Sequence, residues 1–169
     1  SPMSRGLGDV YKRQDITSLI ETPEAFVTTC EQLTILAKLF DANAIASIES
    51  RGFIFAGSIA KDLSLPFILA RKPGKLPNPT FTRDFDLEYG STSIEIQKNT
   101  ILNKTDRVVI VDDLVATGGT AIACAELITD NFDITKENIL ILAVIDLPNL
   151  GGSNLIKQQG YKVETLVSY

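Results

Sequence analysis

The chain has 169 residues, of which 44% are hydrophobic and 22% charged, with two cysteines and no histidine. This composition is typical of a globular protein, and folding a chain of this length buries roughly 70% of its surface, enough for one core. The lack of histidine excludes Ser-His-Asp and Cys-His mechanisms and imidazole zinc sites, and two cysteines exclude a disulfide scaffold or a Cys₄ metal site. Two lone thiols suit a reducing compartment, so we expect the protein in the cytoplasm.

The net charge of −5 and a pI near 4.8 argue against binding to nucleic acid or to an anionic membrane, because both need a basic surface. The longest apolar run, residues 139–145, is far shorter than the roughly 20 residues that cross a bilayer. We therefore expect neither a nucleic acid nor a membrane as a partner. An anionic small molecule is compatible with this charge, since a local site can be positive.

Hydrophobic spacing predicts alternating helices and strands. In residues 23–40, Phe26, Cys30 and Leu33 recur at intervals of three and four, which indicates an amphipathic helix. The other predicted elements are strands over residues 43–48, 66–70, 93–97, 107–111, 138–145 and 161–167, and helices over residues 53–63 and 120–131. The alternation from residue 43 onward predicts an α/β fold with a mainly parallel twisted sheet flanked by helices.

Residues 71–90 interrupt this pattern with three prolines, two glycines and several charged side chains. We expect one long loop here. Long loops in compact domains are usually functional or disordered, so this segment is predicted to be a flexible active-site loop.

The most informative segment is residues 108–120, VVIVDDLVATGGT. A buried strand delivers Asp112 and Asp113 to its carboxyl end, where open α/β sheets bind ligands. The following loop can present backbone N–H groups and hydroxyls to a phosphate monoester at a helix N-terminus. It lacks the lysine of a Walker A loop. Its residues are Ala116, Thr117, Gly118, Gly119 and Thr120.

Two adjacent carboxylates would repel a second phosphate but accept hydrogen bonds from vicinal hydroxyls, so the implied ligand is a sugar phosphate. The alternative is that Gly118 and Gly119 form a plain turn, with Asp112 and Asp113 as solvated strand-end residues or helix caps.

This segment resembles the signature by which type I phosphoribosyltransferases bind 5-phosphoribosyl 1-pyrophosphate. Three further segments, ESRGF at 49–53, RKPGKLP at 71–77 and LEYG at 87–90, resemble the adenine phosphoribosyltransferase branch of that family. The resemblance covers residues 15–169, which we expect to form a single domain. It implies that adenine and phosphoribosyl pyrophosphate give AMP and pyrophosphate. It also implies a homodimer and Mg²⁺ held mainly by substrate and water, with no metal site of the protein's own.

By this resemblance, Asp112 and Asp113 hold the ribose hydroxyls and favour an oxocarbenium-like ribose, while residues 116–120 hold the 5′-phosphate. Arg51, Lys72 and Lys75 are the cations expected around the pyrophosphate, through charge-assisted hydrogen bonds. For each cation the alternative is a solvated surface charge.

The resemblance also implies that Glu88 is the proton acceptor for the imidazole ring of adenine, since a carboxylate on a closing loop is the available general base in a chain without histidine. Its alternative is an ordinary exposed residue. Tyr89 is expected to close over the ribose or the base, and its alternative is a half-buried packing residue. Closure of the loop would exclude water and protect the activated sugar from hydrolysis.

Residues 1–14 form an atypical N-terminal segment that does not continue the resemblance. The family has Phe-Arg-Asp-Ile in a small hood over the base, whereas this chain has Gln14 before Asp15 and Ile16. We expect a reduced or altered hood. A natural start that is missing or replaced is favoured over a shortened hood, because a shortened hood would leave the base pocket open.

Two other functions remain open from the sequence. One is a non-catalytic regulator that binds phosphoribosyl pyrophosphate, although the chain has no basic helix-turn-helix pattern. The other is transfer to a different purine base, such as hypoxanthine or xanthine.

Overall fold

A computed structural model describes residues 16–87 and 89–169, so the N-terminal segment 1–14 and Glu88 lie outside the described residues. The helices are α1 (Ile16–Glu21), α2 (Pro23–Leu39), α3 (Arg51–Leu63), α4 (Gly119–Phe132) and α5 (Gly152–Gln158). The strands are β1 (Ala44–Ile48), β2 (Phe67–Ala70), β3 (Thr80–Leu87), β4 (Gly90–Gln97), β5 (Val108–Val115), β6 (Ile139–Asp146) and β7 (Lys162–Ser168).

Five strands form the central sheet in the order β2-β1-β5-β6-β7, and each neighbouring pair is parallel. Parallel strands need a crossover connection, and helices α3, α4 and α5 supply crossovers between sheet strands. The predicted parallel α/β sheet is therefore confirmed.

Successive side chains of the buried strands enter opposite faces of the sheet, as the period of two requires. On one face, Ile45 and Val109 pack with the apolar sides of α1, α2 and α3. On the other face, Ala46 and Ile110 pack with α4 and with the inward side chains of β4. Both faces are covered, which explains why β1 and β6 are buried along their whole length.

The segment 71–90 is not one long loop. Residues 80–87 form β3, which pairs antiparallel with β4 from Thr80↔Gln97 to Leu87↔Gly90. The prediction of a loop was wrong for these residues because the polar residues at their exposed positions give the segment the composition of a loop. Residues 72–79 keep turns and irregular backbone.

Several predicted boundaries also differ from the structure. Strand β5 was expected to stop before the acidic pair, but it continues to Val115, because Asp112, Leu114 and Val115 still pair with β6. Arg51 was expected in a loop and instead begins helix α3. Helices α1 and α5 were not predicted at all, because each spans two turns or fewer. In the part of the chain that the structure describes, no helix is long and apolar enough to span a membrane.

Candidate active site

The site lies where the order of the strands reverses. The chain passes from β1 outward to β2 and later returns to β5 on the other side of β1. Helix α3, which follows β1, covers one face of the sheet, and helix α4, which follows β5, covers the other. The two strand-to-helix loops therefore separate at this point and leave a crevice, the usual ligand position in open α/β sheets.

A cavity of about 280 Å³ fills this crevice. It joins the end of β1 to the whole connection between β5 and α4, two segments that are about 60 residues apart in the sequence. Its lining residues are Ile48, Glu49, Ser50, Arg51, Asp112, Asp113, Leu114, Val115, Ala116, Thr117, Gly118, Gly119, Thr120 and Ala121. The structure thus gathers the predicted acidic pair, the predicted phosphate loop and Arg51 around one cavity.

The acidic pair occupies a part of β5 that extends beyond its neighbour. Strand β1 pairs with β5 only as far as Val111, whereas β6 pairs with it up to Val115. Asp112 and Asp113 therefore stand beside the open crevice. A hydrogen bond between the buried Ser47 Oγ and the Val111 carbonyl, 2.6 Å long, holds the two strands together just before the pair.

The two carboxylates have different partners. Asp113 is buried, and its Oδ2 lies 3.0 Å from Nε of Arg51, whose side chain is 59% exposed. Asp112 Oδ1 accepts the backbone N–H of Asp113 at 2.8 Å. Asp113 is thus paired with the cation of Arg51, whereas Asp112 accepts a hydrogen bond from a neutral backbone N–H.

The pKa of Asp112 is nevertheless raised well above that of an ordinary aspartate, although the hydrogen bond from the Asp113 N–H lowers it. Burial is the largest cause, and the neighbouring Asp113 carboxylate adds to it, while the charge of Arg51 acts in the opposite direction. Since both main causes penalise the negative charge, a cation placed next to Asp112 would favour its ionised form.

The buried Cys124 also adjoins this region. Burial, together with the negative charge of Asp112, raises the pKa of its thiol to about 12. The thiolate is the nucleophilic form of cysteine, so Cys124 is an inert core residue.

The predicted phosphate loop begins helix α4. Gly118 is the N-cap residue, with φ at +87°, a left-handed conformation that favours glycine, and its carbonyl accepts the N–H of Ile122 at 3.0 Å. The first backbone N–H groups of a helix have no partner within the helix and carry partial positive charge. Because these groups line the cavity, the loop can bind an anion such as phosphate.

Glu49 is a site residue to which sequence reasoning assigned no role. Its buried side chain accepts hydrogen bonds from Arg71 Nε at 3.3 Å, the Lys72 backbone N–H at 2.7 Å and Lys75 Nζ at 2.6 Å. A single carboxylate thus fixes the start of the predicted loop to the edge of the cavity. The position of Glu49 directly after a buried strand was the signal that could have indicated a site residue. Its hydrogen-bond partners could not be inferred, because they lie more than 20 residues away in the sequence.

These contacts also set the charge of Glu49. Burial alone would raise its pKa, but the hydrogen bonds from Lys75 and Lys72 and the charges of Lys75 and Arg71 together hold the pKa below that of an ordinary glutamate. Glu49 is therefore an anion at neutral pH. Lys72 and Lys75 do not line the cavity, but both contact Glu49, which does.

Strand β3 lies along helix α4 from the end of the helix to its beginning. The Phe81 and Phe132 rings meet edge to face at 5.5 Å, and Arg83 contacts both Glu126 and Asp130, with Nη1 at 3.1 Å from the Asp130 carboxylate. At the other end, a Cβ on Gly119 would lie 3.7 Å from the carbonyl oxygen of Asp86. The β3-β4 hairpin is therefore anchored beside the phosphate loop.

Two further predicted site residues are Tyr89 and Glu88. Tyr89 is 94% exposed, which rules out the half-buried packing role in this conformation, and it does not line the cavity. Glu88 lies outside the described residues.

Asp146 also stands at this edge of the sheet, paired in register with Val115, and sequence reasoning missed it. It is buried, and its Oδ1 accepts no hydrogen bond from the described residues.

The carboxylates available to a metal are few. Among the described residues, no three His, Cys, Asp or Glu side chains form a metal-binding group. Mg²⁺ usually keeps several waters and takes one or two carboxylates together with substrate oxygens. Asp112 and Asp113 suit a metal bound in that way.

Comparison with known proteins agrees with this geometry. Residues 33–136 match the family described as the phosphoribosyl transferase domain. The chain is 44% identical to an adenine phosphoribosyltransferase of Pelagibacter ubique over 156 residues, which cover 92% of this chain and 87% of that protein.

Solved structures show the same fold. An adenine phosphoribosyltransferase from Thermoanaerobacter pseudethanolicus superposes with a TM-score of 0.83 at 37% identity, covering 92% of this chain and 87% of the other. An adenine phosphoribosyltransferase (APRTase) from Giardia lamblia, complexed with 9-deazaadenine, superposes with a TM-score of 0.85 at 33% identity, covering 92% of this chain and 85% of the other.

Proposed function

The chain belongs to the phosphoribosyltransferase family, within its adenine phosphoribosyltransferases, and from this premise we propose that it converts adenine and 5-phosphoribosyl 1-pyrophosphate to AMP and pyrophosphate. The observation that carries the proposal is the cavity that unites the acidic pair with the loop at the start of α4. A phosphate at the loop would place the attached ribose near the two carboxylates.

The reaction exchanges one bond at the anomeric carbon for another. A ring nitrogen of adenine donates its lone pair to C1′, and the bond from C1′ to the pyrophosphate oxygen breaks, so that pyrophosphate leaves with the bonding electrons. The proton lost by the imidazole ring of adenine goes to a base, for which we propose the carboxylate of Glu88. The ribose carries positive charge while the two bonds are exchanged.

Asp112 and Asp113 are proposed to hold the ribose hydroxyls and to stabilise this positive charge. The place of Asp112 in the cavity lining supports the proposal, because a positive charge that develops beside this carboxyl group favours its ionised form. Asp113 already has Arg51 as a partner, which fixes its position.

We propose that residues 116–120 bind the 5′-phosphate and that Arg51, Lys72 and Lys75 surround the pyrophosphate. Arg51 has the strongest support because it lines the cavity. For Lys75 the support is indirect, since Glu49, which it contacts, lines the cavity. Tyr89 is proposed to close over the ribose or the base, and its exposure leaves it available for such a movement.

Mg²⁺ is the proposed cofactor, held mainly by substrate oxygens and water, with Asp112 and Asp113 as the carboxylates that would reach it. When bound, the metal would neutralise charge on the pyrophosphate leaving group.

The direct test is pyrophosphate release by the purified protein with phosphoribosyl pyrophosphate and Mg²⁺, with adenine, hypoxanthine, guanine and xanthine added separately. We expect release with adenine alone. Release with a different base would reassign the substrate. Binding of phosphoribosyl pyrophosphate without release for any base would instead favour the regulator, and failure to bind it would contradict the assignment of the cavity.

We also propose that the protein is a homodimer in the cytoplasm. Three large apolar side chains of α2, Val27, Ile35 and Leu39, are each more than half exposed, which suits a helix face covered by a second copy. The two cysteines are free and buried, which suits a reducing compartment. Sedimentation equilibrium measures the mass directly, and we expect twice the 18.4 kDa of the chain.

A further inference from the structure

The loop at the start of α4 rests against a glycine from a distant part of the chain. Gly152, the first residue of α5, donates its N–H to the carbonyl of Ala116 with an N···O distance of 3.0 Å. Gly152 is buried, and it lies 36 positions after Ala116 in the sequence. The phosphate loop thus has a backbone support that lies outside its own motif.

Gly152 approaches this loop too closely for any side chain. A Cβ on Gly152 would lie 2.7 Å from the backbone nitrogen of Gly118 and closer still to the carbonyl oxygen of Ala116. In the reverse direction, a Cβ on Gly118 would lie 2.9 Å from the carbonyl oxygen of Gly152. These neighbours are backbone atoms, so neither contact could be relieved by a change of rotamer, and the backbone itself would have to move.

We propose that Gly152 is a positioning residue for the 5′-phosphate site. Because Gly152 has no side chain, the backbone of α5 can contact Ala116 and Gly118 directly. This contact holds the loop in the position in which the N-terminus of α4 faces the cavity. A methyl group at position 152 would push the loop toward the cavity. This inference rests on the proposed function, because it takes the loop as the binding site for the phosphate of the sugar.

The neighbouring Gly151 provides a matched control. It has φ at +81°, so an alanine there is strained, but a Cβ at Gly151 would meet no atom within 4 Å. Gly151→Ala therefore strains the same turn without touching the loop. The two variants separate a general loss of stability from displacement of the phosphate site.

The experiment measures KM for phosphoribosyl pyrophosphate, KM for adenine, and the Kd for ribose 5-phosphate by calorimetry, in the wild type, Gly152→Ala and Gly151→Ala. For Gly152→Ala we expect KM for phosphoribosyl pyrophosphate and the Kd to rise about 10- to 100-fold, since a shift of the order of 1 Å costs up to that factor. The KM for adenine should change much less. For Gly151→Ala we expect a lower melting temperature, with both KM values and the Kd for ribose 5-phosphate unchanged.

Unchanged constants in Gly152→Ala would overturn the proposal, as would equal increases in both variants. If Gly152→Ala does not fold, hydrogen exchange of the Gly152 N–H in the wild type, with and without ribose 5-phosphate, takes its place: slower exchange in the complex would support the proposal, and an unchanged rate would overturn it. Wild-type protein that binds ribose 5-phosphate but shows no turnover with adenine would contradict the proposed function, while the comparison of Kd values would still decide the role of Gly152.

Discussion

Arg51 and Asp113 form an ion pair of 3.0 Å that crosses the cavity from the start of α3 to the end of β5. The partners differ in environment, because the arginine side chain is mostly exposed and the aspartate is buried. An exposed cation can be solvated when its partner is removed, so loss of the Asp113 charge leaves no buried charge unpaired. The consequence of the ion pair lies in the site, where it fixes the position of a carboxylate proposed to face the ribose.

Replacement of Asp113 by asparagine keeps the shape of the side chain and removes its charge. We expect kcat with adenine to fall about 100-fold, the usual cost of losing one preorganised electrostatic group, with little change in the melting temperature. Steady-state kinetics and thermal unfolding test this. Asp62→Asn is the control, since Asp62 forms an exposed ion pair with Lys61 outside the cavity, and its kcat should match the wild type. A wild-type kcat for Asp113→Asn would remove this carboxylate from the mechanism.

The raised pKa of Asp112 predicts that its ionisation opposes folding. Below about pH 4, the ordinary value for a carboxyl group, Asp112 is protonated in both the folded and unfolded states and carries no such cost. As the pH rises toward the folded-state pKa, the unfolded state loses this proton first and the folded state becomes relatively less stable. Asp112→Asn should therefore gain stability relative to the wild type as the pH rises above about 4.

Urea unfolding between pH 3 and pH 8, without substrate or metal, measures this difference. A stability difference between Asp112→Asn and the wild type that does not depend on pH would contradict the prediction.

The lowered pKa of Glu49 predicts the opposite sign. Its ionised form is favoured in the folded state, so its stabilisation is present above about pH 4 and is lost as the pH falls through the folded-state pKa. Glu49→Gln should be less stable than the wild type at pH 7 and approach it in acid. Hydrogen exchange of residues 71–75 should also be faster in this variant, because their anchor is weakened. Glu49→Asp retains the negative charge, so its stability should depend on pH as that of the wild type does. A stability of Glu49→Asp without this pH dependence would argue against an ionic cause.

The contacts of Arg83 predict a measurable coupling between the hairpin and α4. In double-mutant cycles with Arg83→Met, we expect a coupling energy of about 0.2–1 kcal/mol, the range for partly exposed ion pairs. The cycle with Glu126→Gln should give the larger value, because the Glu126 side chain is 25% exposed and that of Asp130 is 60% exposed. A larger coupling with Asp130→Asn would contradict this prediction.

The central sheet and the phosphate loop were predictable because each is encoded by consecutive residues. Residues 108–111 are an uninterrupted β-branched run, and the acidic pair and the Thr-Gly-Gly-Thr segment follow directly. Contacts between distant residues carry no such local signal. Glu49 gains its role from partners at 71, 72 and 75, and Gly152 gains its role from Ala116, so their own neighbours in the sequence do not indicate these contacts.

Strand β3 could not be predicted for a different reason. The core covers only one side of the two-stranded sheet, so its outward residues Thr82, Asp84 and Asp86 are polar and give the segment the composition of a loop. Its pairing with β4 and its packing along α4 determine the strand, and both are tertiary effects.

The support of the phosphate loop by Gly152 has a consequence for synthesis of the protein. Ribosomes deliver the chain from the N-terminus, so β1, β5 and the acidic pair emerge well before residue 152. A nascent or truncated chain that ends earlier would carry every residue of the sugar-phosphate motif without the backbone against which the loop rests. With the role proposed for Gly152, affinity for the ligand arises only after residue 152 has been made, and the partly made chain would not bind the activated sugar substrate.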